Sequence, residues 1–390
     1  MRRSTSKTDS MASPGTAPIA VTLESSTGSG SGATQALLAA MLRANDRVSD
    51  LIFSPGRAPQ IEVLGELIPV SAPGLRALTT DDTRRIASDL IGNNKQAITT
   101  LREQGSCDIS YGLPGLARFR VNVFIQRGSC AVVMRAIPTT IPSFESLGLP
   151  THMKEIAGLS EGIVLVAGPR GSGKSSTLAA LLDCINEKQT CHILTVEDPI
   201  EFLHNHKRST VHQRELHSDA SNFAQALRAA LRQAPRVIMV GDLRDRDTME
   251  MAVEAAETGH LVLSSLNSVD ASKTVERIVS AFSPAEQASI RGRLAKTLRW
   301  VVAQRLLPRK DGGGRVAAFE ILKVNTQAMQ CLENYDHSGQ ALLKIIQAGN
   351  TDGMQHFDGE IVRLVKNGVV DLEIAIRHAT NAQEVRQAGA

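Results

Sequence analysis

The chain has 390 residues, 42% of them hydrophobic, enough for two compact domains of ordinary size. Lysine and arginine total 43 against 40 acids, so the net charge of +3 writes no nucleic-acid or membrane field into the composition. Five cysteines, at 107, 130, 184, 191 and 331, form no C-x-x-C pair, which argues against a zinc knot or a disulfide framework and for a reducing compartment. No run of 18 apolar residues occurs, and Pro, Gly, Ser and Thr interrupt the N-terminus where a signal peptide would need an apolar core. A cytoplasmic chain is the expectation.

Residues 1–33, closing in "LESSTGSGSGAT", are too poor in large apolar groups to offset the entropy of ordering and read as a disordered tail. From "TQALLAAMLRAND" the spacing turns helical, with Leu37, Leu38, Met41 and Leu42 on one face. Strand-length segments follow in "PQIEVLGELIPV", "ARFRVNVFIQR" and "CAVVMRAIP", so residues 34–140 are expected to form a small α+β domain. The proline-containing stretch at 141–150 reads as a linker. Beyond it, "GIVLVAG", "HILTVED", "VIMVGD" and "HLVLSSL" alternate with helical stretches, the pattern of a mostly parallel sheet covered on both faces. Residues 151–390 form this second domain, with a helical region from about 326.

"GPRGSGKSS" satisfies Gly-x-x-x-x-Gly-Lys-Ser after one predicted strand and before one predicted helix. A loop of this kind wraps backbone N–H groups around phosphate oxygens, and the helix N-terminus adds a favourable field. Gly168, Pro169, Arg170, Gly171, Ser172, Gly173, Lys174, Ser175 and Ser176 are therefore the expected ATP-binding residues. Lys174 would reach the β- and γ-phosphates, and the Ser175 hydroxyl would ligate Mg2+. "TVEDPIEF" places Glu197, Asp198 and Glu201 at the end of another strand, where ligands of open α/β sheets collect. Glu197 and Asp242 join Ser175 as candidate metal-site residues. "AETGHLVLSSLNS" puts His260 at the start of a strand and Asn267 just past its end. A lone histidine beginning a strand is more often a structural hydrogen-bonder than a catalyst.

These segments, with "SDLIFSPGRAPQIEVLGEL", "ARFRVNVF", "LRQAPRVIMVGDLRD", "VAQRLLP" and "GMQHFD", together resemble the secretion-superfamily ATPases, and more narrowly the pilus-retraction motors of the PilT and PilU type. The resemblance covers nearly all of residues 35–390. It implies a PAS-like N-terminal domain, a RecA-like motor domain and C-terminal helices. It also implies six-membered rings, formed alone or with a PilT-like paralogue, that couple ATP turnover to domain motion and drive a pilus platform protein at the inner face of the bacterial membrane. The family's nucleotide-sensing arginines map onto Arg120 and Arg135; a guanidinium from a mobile domain can neutralise charge developing on the γ-phosphate.

The chain departs from the family's pattern inside the hydrolytic centre. Where the family ends its strand in Gly-Glu, Gly241 is followed by Asp242, a carboxylate one methylene shorter, and a misplacement of ~1 Å can cost ~100-fold in rate. Arg236 stands where an acid is usual, Arg170 where a neutral residue is usual, and Asn267 where the family has a second histidine. Asparagine can donate a hydrogen bond but cannot become cationic. "TQAMQCLENY" only weakly echoes the C-terminal helix linked to retraction. Asp242, Glu197, His260 and Asn267 are thus the candidate catalytic residues, and two readings stay open: a retraction ATPase of reduced turnover, or a nucleotide-binding ring subunit that hydrolyses weakly or not at all. A pilus-assembly or type II secretion ATPase is disfavoured by the lack of a four-cysteine element. Direct DNA binding is not expected from a chain with 3% aromatic residues and no basic cluster.

Overall fold

A computed structural model describes residues 18–22, 31–63, 65–72, 76–137, 140–334 and 339–389. The chain divides into two compact units, residues 1–139 and 140–390.

The first unit runs β1 (Ile19–Ala20), α1 (Ser31–Arg43), β2 (Val48–Phe53), β3 (Gln60–Val63), β4 (Glu66–Ser71), α2 (Thr80–Ile91), α3 (Lys95–Gln104), β5 (Ser106–Leu113), β6 (Ala117–Gln126) and β7 (Ser129–Ile137). Its sheet has the order β1-β4-β3-β2-β7-β6-β5, antiparallel except where β1 joins β4. Local chemistry fixes the helix ends. Thr79 and Asp82 form a reciprocal capping box at the start of α2, and Gly105 closes α3 in the left-handed conformation. Strand alternation sends Phe119, Val121 and Val123 of β6 into a core shared with Leu38 and Met41 of α1 and Ile86 and Leu90 of α2. Arg120 lies between them in sequence and is exposed. This is the α+β arrangement anticipated, with one adjustment. The segment expected to be a disordered tail contributes β1, whose Ile19 pairs with Val70, and α1 already begins at Ser31. Residues 1–17 and 23–30 of that tail lie outside the described residues.

The second unit continues with β8 (Gly162–Ala167), α4 (Lys174–Lys188), β9 (His192–Glu197), β10 (Thr210–Glu215), α5 (Phe223–Ala230), β11 (Val237–Val240), α6 (Arg246–Glu257), β12 (Leu261–Leu266), α7 (Ala271–Ser280), α8 (Gln287–Thr297), β13 (Leu298–Pro308) and β14 (Arg315–Lys323). Among the described residues it ends in α9 (Thr326–Glu333), α10 (Gln340–Ala348), α11 (Phe357–Lys366), α12 (Leu372–His378) and α13 (Ala382–Gly389). The strand order is β10-β9-β11-β12-β8-β13-β14, and only β14 runs antiparallel to its neighbour.

All six residues of β8 are buried, because both faces of the sheet are covered. Ile163, Leu165 and Ala167 enter one core with α5, α6, α7 and the C-terminal helices; Val164 and Val166 enter the other with α4. The stretch read as a linker is not a free tether: Phe144 and Leu149 are buried in the second of these cores beside Met153 and Ile156. Two large apolar side chains in ten residues suffice to hold such a segment down.

Candidate nucleotide site

The parallel ladder brings the ends of several strands to one edge of the sheet. Ala167 of β8 pairs with Leu266 of β12 and Ala303 of β13, so the loop that follows β8 rises between Asn267 and Gln304. Val240 of β11 pairs with Val196 of β9 and Ser264 of β12, which carries Asp242, Glu197 and Asp198 to the same edge. Gly168 to Ser176 curl there into the N-terminus of α4, with Gly171 at φ +75° and Gly173 at φ +90°. A Cβ on Gly173 would lie 3.0 Å from Gln304 Nε2, and one on Gly168 would collide with the Ser172 side chain and the Gln304 carbonyl oxygen. The glycines are therefore required by contact as well as by dihedral angle.

Lys174 Nζ donates to the carbonyl oxygens of Gly168 and Pro169, each at 3.0 Å, and to Asn267 Oδ1 at 2.9 Å. Three acceptors match the three protons of an ammonium. Burial pulls the lysine's pKa below its ordinary value, opposed by Asp242 and Glu201 and reinforced by Arg170. The Ser172 side chain is buried, and its Oγ has no hydrogen-bond partner. Pro169, Arg170 and Gly171 are exposed, while Ser175 and Ser176 are half-buried in the first turn of α4.

Asp242 is held by Arg244, whose Nε donates to Asp242 Oδ2 at 3.0 Å and whose second arm reaches Asp198 Oδ2 at 3.0 Å. Gly241 makes this approach close: a Cβ there would stand 3.4 Å from Glu197 Cα. Its carbonyl oxygen accepts from Ser265 Oγ at 2.8 Å. Glu197 is buried and turned into the protein, where Oε1 accepts from Thr195 Oγ1 at 2.7 Å and from Gln213 Nε2 at 3.0 Å. Burial pushes its carboxyl up to about 7, with Thr195 and Gln213 opposing. Its Oε2 accepts from the backbone N–H of Glu201 at 3.4 Å, so both carboxylate oxygens already have partners within the protein and Glu197 is poorly disposed as a metal ligand. Among the described residues no group of three or more His, Cys, Asp or Glu side chains could hold a metal ion. A hard cation carried in by phosphate oxygens and held by a serine hydroxyl needs no such group.

His260 is not brought to this site. Gly162 N donates to its carbonyl oxygen at 3.0 Å, so it stands at the beginning of β8 and β12 while the phosphate loop follows their ends. Six strand residues separate the two, about 20 Å. Its Nδ1 lies 2.9 Å from the Ala255 carbonyl oxygen and 3.2 Å from Thr258 Oγ1, a local structural role. Arg236 likewise precedes β11, pairing its backbone with His192 and Leu261 at that far edge.

In the first unit, Arg120 and Arg135 are direct cross-strand partners on β6 and β7, and both side chains are exposed. Arg135 pairs in turn with Asp50 of β2, its Nε 3.0 Å from Asp50 Oδ1. Two like charges placed opposite each other destabilise a sheet unless something else requires them.

Sequence reasoning missed three residues of the site. Arg244 was visible in "GDLRD", two positions beyond Asp242. Gln304 interrupts the apolar run of β13, and Thr177 the apolar face of α4; a buried polar residue in such a run implies a hydrogen-bonding task.

Comparison with known proteins agrees with this geometry. Residues 103–374 match the family described as Type II/IV secretion system protein. The type IV pilus retraction ATPase PilT of Pseudomonas aeruginosa is 42% identical over 332 residues, 85% of this chain and 94% of that protein. The type IV pilus ATPase PilU of the same organism is 37% identical over 87% of each chain. Among solved structures, that of the pilus retraction motor PilT with bound ADP superposes with a TM-score of 0.81 at 37% identity, covering 90% of this chain and 98% of that one. The second unit has the RecA-like fold of the secretion ATPases, and the chain belongs to the Type II/IV secretion system protein family.

Proposed function

We propose that the chain is the ATP-hydrolysing motor of a type IV pilus retraction apparatus, turning over more slowly than relatives with a glutamate at position 242. The observation that carries this reading is the phosphate loop, with Lys174 and Ser175 at the head of α4 and a carboxylate, Asp242, just past the end of β11, two strands from β8 on the same edge of the sheet. The loop's hollow fits a phosphate: glycines leave it open, Ser172 Oγ is buried without a partner, and Lys174 supplies the cation. Ser175, with phosphate oxygens, would hold Mg2+, which neutralises charge on the transferred group when bound. Asp242 would orient the attacking water, provided Arg244 yields part of its hold. The relatives that carry the names retraction ATPase and twitching motility protein supply the apparatus.

Arg120 and Arg135 act in this reading as nucleotide sensors, which gives a reason for an exposed like-charge pair. The chain works as a six-membered ring, alone or with a PilT-like paralogue, in the cytoplasm at the inner face of the membrane, and engages a platform protein there. No helix among the described residues is long and apolar enough to cross a membrane. Light scattering with ATP and Mg2+ tests the ring: a mass six times that of the chain is expected, and a monomer at every concentration would overturn it.

A second reading, a nucleotide-binding but weakly or non-hydrolysing accessory subunit, is favoured by one specific feature. Asp242 is neutralised by Arg244, and the position beside Lys174 is an asparagine that cannot carry a proton. The retained lysine, serine and carboxylate weigh for the motor.

A further inference from the structure

Gln304 of β13 is 2% exposed and reaches across the sheet to the phosphate loop. Its Nε2 donates to the Ser172 carbonyl oxygen, and its Oε1 accepts from Thr177 Oγ1 of α4 at 2.9 Å. The position is set by the ladder. Ala303 is the last residue of β13 in register with β8, so Gln304 stands where β8 peels away into the loop. The next residue points to the other face: Arg305 stacks over Phe357 of α11 at 3.9 Å and donates to the His378 carbonyl oxygen at 2.7 Å.

A trans peptide points its C=O and N–H in opposite directions. A Ser172 carbonyl fixed on Gln304 therefore turns the N–H of Gly173 away from Gln304, toward the side of the loop left for phosphate. Thr177 completes the arrangement. A carbonyl oxygen only accepts, so Ser172 takes the Nε2 end of the amide, and the Thr177 hydroxyl donates to the remaining Oε1 and holds the side chain from its other end.

We propose that Gln304 is a positioning residue for nucleotide binding: held by Thr177, it locks the Ser172–Gly173 peptide so that the Gly173 N–H faces the phosphate. The inference rests on the reading of the loop as a nucleotide site, and deepens it by assigning the loop's rigidity to a residue 131 positions from Gly173 in sequence.

The test is titration of the full chain with a fluorescent ATP analogue and Mg2+, beside thermal unfolding of each variant without nucleotide. Gln304→Met keeps volume and removes the bond to Ser172; affinity falls about tenfold, the order of one buried hydrogen bond, and KM for ATP rises more than kcat falls. Gln304→Glu places a carboxylate against the carbonyl and weakens binding at least as much. In the double variant Thr177→Val, Gln304→Met the stranded hydroxyl is gone, so stability recovers toward wild type while affinity stays low. Wild-type affinity in Gln304→Met, or affinity that recovers with stability in the double variant, would overturn the proposal. If wild type and Lys174→Ala alike fail to bind, the nucleotide reading itself falls and this inference with it.

Discussion

Lys174 Nζ and Asn267 Oδ1 are 2.9 Å apart, a contact between residues 93 positions apart that ties the phosphate loop to the end of β12. The ammonium is satisfied by this amide and two loop carbonyls, so a phosphate held by Lys174 competes with these bonds. Lys174→Ala removes the charge as well as the bonds. Binding of ATP is expected to weaken by more than tenfold, and turnover to fall to background, in paired titration and hydrolysis assays.

In the proposed reading, Asp242 and Asn267 together slow hydrolysis. The double change Asp242→Glu, Asn267→His is expected to raise steady-state turnover several-fold by extending the carboxylate by one methylene and restoring an imidazole beside the lysine. A rate that stays flat or drops would show that the hold of Arg244 on Asp242, rather than side-chain length, limits the reaction.

The two arginines of the first unit separate structure from function. Arg135→Ala leaves the buried Asp50 carboxylate, 4% exposed, without its guanidinium, and is expected to lower the unfolding midpoint at a cost of about 1–3 kcal/mol. Arg120→Ala relieves a like-charge contact and leaves that midpoint level or higher. If Arg120 senses nucleotide, its loss slows hydrolysis all the same; unchanged hydrolysis would reduce it to a solvated strand arginine.

Buried acids give the second unit a pH signature. Burial pushes Glu197 and Glu320 up to about 7, above the 4.5 expected of an exposed glutamate. These two groups then bind more protons in the native state than in the unfolded chain across that window, so the stability they contribute is full below about pH 4.5 and declines as pH rises toward 7. Glu197→Gln removes its share, on the order of 3 kcal/mol. The variant should match wild type near pH 5 and unfold at a higher temperature near pH 8; a loss of stability at both pH values would contradict the assignment.

Much of this was legible in the sequence because it rests on local rules. The strands are marked by apolar runs, and the phosphate loop by glycine spacing between a strand and a helix. What was not legible depends on which strands lie side by side. Gln304 reads as a stray polar residue until β13 is known to flank β8. His260 is the converse case. Parallel strands put their starts at one edge and their ends at the other, so a histidine that begins a strand already lay opposite a loop that ends one. The buried, inward-turned carboxylate of Glu197 could not be read either, since it depends on Gln213 of the neighbouring β10.

The central claim, that Asp242 works as the acid of an ATP-driven motor, is tested most directly by steady-state ATP hydrolysis by the purified chain with Mg2+, run beside Lys174→Ala. Turnover clearly above that control is the expected result. No turnover, with a fluorescent ATP analogue still bound tightly, would contradict it and leave a nucleotide-sensing subunit that depends on another ATPase for power.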